Sequence, residues 1–344
     1  MLVEVKDLAV EFAAPGGILY AVRGVDLTLD RGELLGIVGE SGSGKSVTAH
    51  TMLRLVPGNG TVKSGRILYK GKTDVLACGR DELRRYRGGG AGIIFQEPGL
   101  SFDPIYTVGK AFTETVRAHN PEISDAEAME KALAILREVR VPSPEKRLEN
   151  YPHQFSGGLL QRIMIALALV LSPDFLIADE PTTALDVTIQ AQIVELLLQL
   201  KETRNLAVMF ISHNLALISG IADRIAVMYS GLVMETGPAS EVIERPRHPY
   251  TRALLDSVLN LGDHHTGKKA RIMKGSVPNP MFPEPGCPYA PRCPMAVPEC
   301  EKEIPPLVVE KTSYRCLFKG VKKEDTVRAA ADNPARERER GRNA

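Results

Sequence analysis

Apolar and polar residues alternate regularly at the start of the chain. Apolar side chains recur at every second position, at Val3/Val5, at Leu8/Val10/Phe12 and at Val25/Leu27/Leu29. A period of two is typical of strands that bury one face, so this region predicts a half-buried sheet. Leu34–Val38 is apolar throughout, which indicates a strand that is covered on both faces.

Helical and strand patterns alternate further along the chain. We predict helices over residues 45–55, 105–150, 161–171 and 189–203, and strands over residues 92–95, 175–178 and 206–211. Loops interrupt the long helical region at 120–121 and 141–144, and residues 225–236 predict a hairpin through Ser230-Gly231. Alternating helices and strands predict a parallel sheet with helices on its faces, and hence an α/β fold.

The composition is that of an ordinary globular protein. The chain has 344 residues, of which 44% are hydrophobic and 25% are charged, and its formal net charge is +1. Such a charge provides no strong field for attracting nucleic acid. The longest apolar stretch, residues 163–171, is about half as long as the roughly 18 residues that a spanning helix needs. The first residues do not resemble a signal peptide. We therefore expect a cytoplasmic chain that acts at a membrane only through a partner.

A glycine-rich segment follows the apolar run at Leu34–Val38. It fits the pattern G-x-x-x-x-G-K-[ST] and lies between a predicted strand and a predicted helix, as a phosphate-binding loop requires. Its residues are Gly39, Glu40, Ser41, Gly42, Ser43, Gly44, Lys45 and Ser46, and we add Val47, which follows in the helix, to the predicted nucleotide contacts. We expect Lys45 to reach the β- and γ-phosphates of ATP and the Ser46 hydroxyl to ligate Mg²⁺.

Two carboxylates end the predicted strand at 175–178. Asp179 and Glu180 follow the apolar run directly, and buried ionised groups are costly unless a cation compensates them. We expect Asp179 to hold Mg²⁺, directly or through water. Glu180 would polarise the attacking water as general base.

A second possible anion site precedes the helix at 161–171. Ser156-Gly157-Gly158 stands at its start, where the helix dipole favours negative charge. One nucleotide rarely needs two such sites in one chain, so this site would serve a nucleotide that is held mainly by another subunit. The alternative is that Ser156 only caps the helix.

The order of these motifs resembles the nucleotide-binding domains of ABC transporters. Further matching residues are Gln96 after the strand at 92–95, Ala184-Leu185-Asp186, and Ser212-His213. The resemblance spans residues 1–237 and implies a P-loop NTPase with a RecA-like core, an antiparallel β subdomain and a helical signature subdomain at about 97–160. No internal repeat is apparent, so we expect one nucleotide domain.

The resemblance also implies roles for single residues. Tyr20 would stack on adenine, and Gln96 would sense Mg²⁺ and the attacking water and couple to the membrane partner. Asp186 would contact the opposite subunit, and His213 would bind the γ-phosphate and hold the catalytic geometry.

The signature segment departs from the common Leu-Ser-Gly-Gly-Gln. Phe155 stands first, Leu159 stands fifth, and Leu160 occupies a position where relatives often carry Arg. Ser156 and Gly158, the predicted phosphate contacts, are intact. We expect a reduced rate rather than inactivity.

The C-terminal part, residues 238–320, resembles another known region. His248-Pro249-Tyr250-Thr251, Gly286-Cys287 and Arg292-Cys293 are similar to the C-terminal region of dipeptide and oligopeptide permease ATPases, and of relatives that import nickel complexes. This resemblance implies an importer for peptides or nickel complexes at the cytoplasmic face of the cell membrane. Its partners would be two permease subunits, a second, different ATP-binding subunit and, indirectly, a solute-binding protein. A soluble ABC ATPase acting on nucleic acid or ribosomes is the alternative from another class.

Four of the five cysteines lie near the end of the chain. Cys287, Cys293, Cys300 and Cys316 have the spacing C-x5-C-x6-C-x15-C, whereas Cys78 stands alone. In a reducing compartment such a cluster favours metal over disulfides. The wide spacing favours a [4Fe–4S] cluster, with Zn²⁺ or buried thiols without metal as alternatives. From residue 321 the chain is charged and lacks aromatic residues, which predicts a disordered tail at 321–344.

Overall fold

Two β-sheets form the framework of the computed structural model, which describes residues 1–183, 185–257, 273 and 275–318. The strands are β1 Val3–Ala14, β2 Gly17–Leu29, β3 Leu34–Val38, β4 Gly60–Tyr69, β5 Thr73–Asp74, β6 Ala91–Ile94, β7 Phe175–Asp179, β8 Ala207–Ser212, β9 Arg224–Tyr229, β10 Leu232–Pro238, β11 Val308–Val309 and β12 Ser313–Tyr314. In these residues the smaller sheet has the order β2-β1-β4-β5, and the larger has the order β11-β12-β10-β9-β3-β8-β7-β6.

Helices occupy the connections between the strands. They are α1 Lys45–Met52, α2 Arg80–Arg85, α3 Pro98–Ser101, α4 Val108–His119, α5 Asp125–Glu138, α6 Pro144–Leu148, α7 Gly157–Leu169, α8 Val187–Arg204, α9 Leu215–Ser219, α10 Ala239–Glu244 and α11 Pro249–Ser257. The predicted helical region at 105–150 thus consists of three helices. Short 3₁₀ turns lie at Pro152–Gln154, Ala290–Arg292 and Pro298–Glu301, and a π-helical turn at Tyr86–Gly90. Within the described ranges, no helix is both long enough and apolar enough to cross a membrane.

The central strands of the larger sheet run parallel. β3 pairs in parallel with β8 and β9, and β7 pairs in parallel with β6 and β8. The carboxyl ends of β3, β6, β7 and β8 therefore meet at one edge, which is where open α/β sheets bind their ligands. The predicted phosphate loop, Gln96, the Asp179-Glu180 pair and His213 follow these four ends. This arrangement confirms the predicted α/β P-loop NTPase fold.

The larger sheet is covered on both faces. Leu34 and Val38 of β3 belong to a core cluster that includes residues of α4, α5, α7 and α8. Leu35 and Ile37 belong to a second cluster with β1, β2 and α1. Neighbouring residues of a strand point to opposite faces, so one short apolar strand supplies both cores. The prediction that Leu34–Val38 is a fully buried strand is confirmed.

The C-terminal residues extend the same sheet. β12 pairs antiparallel with β10, with Tyr314 opposite Glu235. Tyr250, Cys287 and Cys300 are part of the core cluster that contains Leu34. The four-cysteine region therefore shares its core with the ATPase part. The predicted tail at 321–344 and Ala184 lie outside the described residues.

Candidate nucleotide and catalytic site

Glycines allow the loop after β3 to turn tightly. Gly44 precedes α1 with φ +96°, and a Cβ added there would lie 2.5 Å from the carbonyl oxygen of Ala21. A Cβ on Gly39 would lie 2.1 Å from the carbonyl oxygen of Met228. Side chains at these positions would collide with backbone, so the loop requires glycine at both. The result is a loop that leads into the amino end of α1, where backbone N–H groups attract phosphate.

Lys45 folds back over this loop. Its Nζ donates hydrogen bonds to the carbonyl oxygens of Gly39 and Glu40, each at 2.9 Å, and to Ser43 Oγ at 3.3 Å. Burial lowers the pKa of Lys45, whereas the charges of Glu180, Asp179 and Glu40 oppose that shift. The ammonium group thus stands within a ring of acceptors, as a phosphate-binding lysine requires.

Ser46 and Asp179 meet across the sheet edge. The Ser46 hydroxyl donates a hydrogen bond to Asp179 Oδ1 at 2.9 Å, and His50 Nε2 lies 3.2 Å from Asp179 Oδ2. Oxygen ligands of this kind are those that Mg²⁺ prefers. The donor set of Ser46 and Asp179 therefore fits Mg²⁺. The sequence interpretation missed His50, whose only signal was its position one helical turn after Ser46.

Three side chains converge on Oε2 of Glu180. Gln96 Nε2 donates to it at 3.2 Å, Thr183 Oγ1 donates at 3.0 Å, and His213 Nδ1 lies 3.3 Å away. The structure thus brings together the three predicted catalytic residues, Glu180, His213 and Gln96. Thr183 was missed, although it lies only three residues after Glu180.

The backbone of Glu180 adopts the left-handed region, with φ +47°. This conformation costs a non-glycine residue about 1–2 kcal/mol. Two hydrogen bonds hold it: Glu180 N–H donates to the carbonyl oxygen of Ile211 at 3.1 Å, and Thr183 N–H donates to that of Glu180 at 3.1 Å. Strain of this kind concentrates at functional sites.

These side chains enclose one cleft of about 450 Å³. Its lining residues are Ser41, Gly42, Ser43, Gly44, Lys45, Ser46, Val47, Gln96, Glu180, Thr183 and His213. The cleft is open to solvent at His213, whose side chain is 64% exposed. The predicted phosphate-binding and water-activating groups therefore face one space.

Other predicted contacts lie outside this cleft. Tyr20 is a half-buried residue of β2 whose N–H donates to the carbonyl oxygen of Pro280 at 2.9 Å. Asp186 caps α8 and accepts a hydrogen bond from the N–H of Ile189 at 3.0 Å. Ser156 is exposed at the start of α7, and its hydroxyl makes no cap hydrogen bond. Ser156 therefore occupies the N-cap position of α7 without a capping hydrogen bond from its side chain.

The unusual signature residues pack inward. Leu160 is buried, and Leu159 packs against the same core cluster. The guanidinium of Arg162 donates to the carbonyl oxygen of Val139 at 3.0 Å. Both leucines thus stabilise the helical subdomain.

The four C-terminal cysteines are free thiols. The Cys287 N–H donates to the carbonyl oxygen of Cys300 at 2.7 Å. Burial raises the pKa of Cys287 to about 11 and that of Cys293 to about 12, so these thiols pack as neutral groups. Among the residues that the structure describes, no three His, Cys, Asp or Glu side chains are grouped so as to hold a metal ion. The predicted metal site at Cys287, Cys293, Cys300 and Cys316 therefore finds no support in the structure.

Comparisons with known proteins agree with this geometry. Residues 22–183 match the ABC transporter family, and residues 234–300 match the C-terminal region of oligopeptide/dipeptide transporters. The "Probable peptide ABC transporter ATP-binding protein y4tR" of Sinorhizobium fredii is 46% identical over 89% of this chain and 91% of its own length. The oligopeptide transport ATP-binding protein OppD of Bacillus subtilis is 45% identical over 91% of this chain and 87% of its own.

A solved dimeric ATP-binding cassette, in a post-hydrolysis state with ADP and Pi, is similar in structure. Its TM-score is 0.61 and its identity 26%, and the match covers 69% of this chain and 99% of that one. The fold and the site thus define an ATPase of the P-loop class. The chain belongs to the ATP-binding subunits of ABC transporters, in the group that carries the oligopeptide/dipeptide transporter C-terminal region.

Proposed function

We propose that this chain hydrolyses ATP to drive the import of short peptides. The convergence of Gln96, Thr183 and His213 on Glu180, beside the phosphate loop, supports hydrolysis. The two relatives named above are a peptide and an oligopeptide transport subunit, and both match nearly the whole chain. Neither is named for nickel, which favours peptides over nickel complexes.

The predicted residues in and beside the cleft would share the binding of ATP. Lys45 and the loop N–H groups would hold the phosphates, and Tyr20, outside the cleft, would lie against the adenine. Ser46 and Asp179 would hold Mg²⁺, with Gln96 beside it, and the ion neutralises phosphate charge.

Glu180 would then take a proton from the attacking water. Its three partners keep the carboxylate in one orientation, which lowers the cost of reaching the reactive geometry. His213, at the open side of the cleft, would contact the γ-phosphate.

A second ATP-binding subunit would complete the site. Ser156, Gly157, Gly158 and Asp186 lie outside their own chain's cleft, and the Ser156 hydroxyl is exposed without capping α7. These features suit a sandwich in which each signature segment faces the nucleotide of the other subunit. The similar solved cassette is dimeric. We infer a partner with a different sequence, as the resemblance to peptide permeases implies.

The remaining partners follow from the transporter family. Two permease subunits would carry the solute across the cytoplasmic membrane, and a solute-binding protein would deliver it. The chain would then bind at the cytoplasmic face of the membrane, with residues 1–237 as nucleotide domain and residues 238–320 as C-terminal module. The +1 net charge gives no support to a nucleic-acid partner.

An iron–sulfur cluster at the C-terminal cysteines stays a proposal. Cys287, Cys300 and Cys316 are near enough for their charges to interact, and Cys293 interacts with all three. A cubane spreads its four thiolates around four irons, whereas a single Zn²⁺ needs them about 2.3 Å from one point.

Uptake by the reconstituted transporter tests the proposed function. The chain, its partner ATPase and both permeases would be placed in vesicles with the solute-binding protein and ATP on the appropriate sides. We expect ATP-dependent accumulation of a labelled di- or oligopeptide and none of nickel. Glu180→Gln is the control that removes hydrolysis. Accumulation of nickel but not of peptide, or peptide uptake equal in wild type and Glu180→Gln, would contradict the proposal.

A further inference from the structure

The second residue of the phosphate loop is held by residues of the C-terminal region. Arg292 donates two hydrogen bonds to the Glu40 carboxylate, from Nη1 to Oε2 at 2.5 Å and from Nη2 to Oε1 at 3.1 Å. The N–H of Glu40 donates to the hydroxyl of Tyr250 at 2.9 Å. The carbonyl oxygen of Glu40 accepts the bond from Lys45 Nζ. All polar groups of Glu40 are thus engaged, two of them by residues more than two hundred positions away.

Arg292 is itself firmly seated. Its side chain is only 5% exposed, and Nη1 also donates to the Tyr229 hydroxyl at 3.0 Å. The guanidinium lies 5.8 Å from the ring centroid of Tyr229 and 6.0 Å from that of Tyr289. Tyr250 packs against both rings, at centroid distances of 4.5 and 5.3 Å. This aromatic cluster restricts the guanidinium to one position.

We propose that Arg292 is a positioning residue of the ATP site, which neutralises the Glu40 carboxylate and fixes the phosphate loop around Lys45.

Charge gives the physical reason. A carboxylate in a loop that receives a polyphosphate would repel it, and at short range this repulsion is large. The charge of Glu40 also acts on Lys45, since it raises the pKa of that ammonium against the lowering by burial. A bidentate ion pair with arginine is among the strongest hydrogen-bonded interactions of a carboxylate. It compensates the carboxylate charge and fixes the orientation of the carboxylate group.

Position gives a second reason. The Glu40 carbonyl is one of the acceptors that hold Lys45. A shift of Glu40 would therefore move Lys45, and with it the ammonium that faces the phosphates. The same C-terminal segment touches the strand of Tyr20, because Pro280 accepts the Tyr20 N–H. The segment from 280 to 292 thus contacts both the phosphate loop, at Glu40, and β2, at Tyr20.

The test measures binding of a fluorescent ATP analogue with Mg²⁺ to the full-length chain. We expect Arg292→Gln to raise the Kd about tenfold, which corresponds to about 1.4 kcal/mol. Arg292→Lys keeps the positive charge but cannot form the bidentate pair with the Glu40 carboxylate. It should raise the Kd about threefold. Glu40→Gln alone removes the repelling charge and keeps that of Arg292, so it should lower the Kd below that of wild type.

The double variant Glu40→Gln/Arg292→Gln distinguishes compensation of the Glu40 charge from a merely structural role of Arg292. If Arg292 acts by cancelling the Glu40 charge, removing that charge as well should restore the Kd to within about threefold of wild type. A merely structural arginine would leave the double variant at least as weak as Arg292→Gln. In single-turnover assays at saturating ATP, the hydrolysis rate of Arg292→Gln should stay within about threefold of wild type, because Glu180 and its partners are untouched.

Arg247→Gln is the matched control. Arg247 lies in the same C-terminal region and forms a half-exposed ion pair with Glu310 at 3.7 Å, away from the loop, so its Kd should not change. Thermal melting confirms that each variant folds. If Arg292→Gln does not fold, Arg292→Lys with and without Glu40→Gln carries the same comparison. A Kd of the folded Arg292 variant within twofold of wild type, or no recovery in the double variant, overturns the proposal.

Discussion

The Ser46 hydroxyl donates a hydrogen bond to Asp179 Oδ1 at 2.9 Å, although the two residues are 133 positions apart. The bond joins the start of α1 to the end of β7. It exists because β3 and β7 run parallel on either side of β8, so that the segments following both strands reach the same edge of the sheet. The predicted Mg²⁺ ligands are therefore adjacent in this chain before any nucleotide is considered.

Glu180→Gln should abolish turnover while leaving ATP binding nearly intact. The amide cannot accept a proton from water, so the rate should fall by at least about a hundredfold. The isosteric side chain keeps its hydrogen bonds to Gln96 and Thr183, so the Kd for ATP should change by less than about threefold. Steady-state ATPase assays and nucleotide binding measure the two effects.

Glu202→Gln is the control for this variant, because Glu202 is an exposed residue of α8. It should hydrolyse ATP at the wild-type rate. If Glu180→Gln keeps turnover within about threefold of wild type, Glu180 is not the general base.

The motifs were predictable because their chemistry demands particular residues in sequence. Phosphate binding needs glycines and a lysine at fixed spacing, and the buried run before Asp179 identifies β7 without reference to the rest of the chain. The apolar run Leu34–Val38 is likewise a local pattern. These elements were found where the sequence predicts them, at Leu34–Val38 and Phe175–Asp179.

Other features depend on contacts between distant residues. Nothing in the sequence around Arg292 indicates that this residue pairs with Glu40. Strand β12 has two residues, which is too short a pattern to predict a strand. The left-handed Glu180 is equally hidden, because one of the two hydrogen bonds that hold this conformation goes to Ile211 of the neighbouring strand. The cysteine spacing predicts proximity, but the spacing alone does not give the arrangement of thiols that a metal needs.

Ser156→Ala should prevent ATP-dependent assembly without reducing stability. The hydroxyl is exposed and caps nothing, so its removal should leave the melting temperature unchanged. In the Glu180→Gln background, with ATP and the partner ATPase, we expect a dimer, and the added Ser156→Ala should return the chain to a monomer. Size-exclusion chromatography with light scattering measures this change.

Ser124 offers the opposite control. It caps α5 in a capping box, where its side chain accepts from the N–H of Glu127. Ser124→Ala should cost about 1 kcal/mol of stability and leave the dimer intact. A Glu180→Gln protein that stays monomeric with ATP and partner would argue against the proposed sandwich.

His248 should make stability fall as the solution becomes acidic. Burial lowers the pKa of this histidine from 6.5 to about 3, so between these values the unfolded chain binds a proton that the folded chain does not. Folding is therefore penalised progressively as pH falls from 6.5. Between pH 6.5 and pH 5.0 the loss should be about 1.6 kcal/mol.

His248→Asn isolates this contribution. The Asn oxygen can still accept the N–H of Tyr250, which bonds to His248 Nδ1 at 3.0 Å, but it does not titrate. Burial raises the pKa of the nearby Glu235, which acts in the opposite direction in both proteins and cancels in the comparison. Denaturant unfolding at several pH values should show a shallower dependence in the variant. Equal dependence in both proteins would mean that His248 is protonated in the folded state.

The metal content of the purified protein tests whether the C-terminal cysteines hold an iron–sulfur cluster, zinc or no metal. If the proposed cluster forms, protein purified without oxygen should be brown and contain about four irons per chain. Cys293→Ser should then lose the iron and make residues 280–318 sensitive to protease, because this segment has short helical turns and two-residue strands to hold it. Cys78→Ser is the control, since Cys78 lies apart from the other four and donates a hydrogen bond to the carbonyl oxygen of Val75 at 3.4 Å. Zinc without iron would show that the cluster is not the resident metal, and no metal at all would leave four free thiols, as the structure describes them.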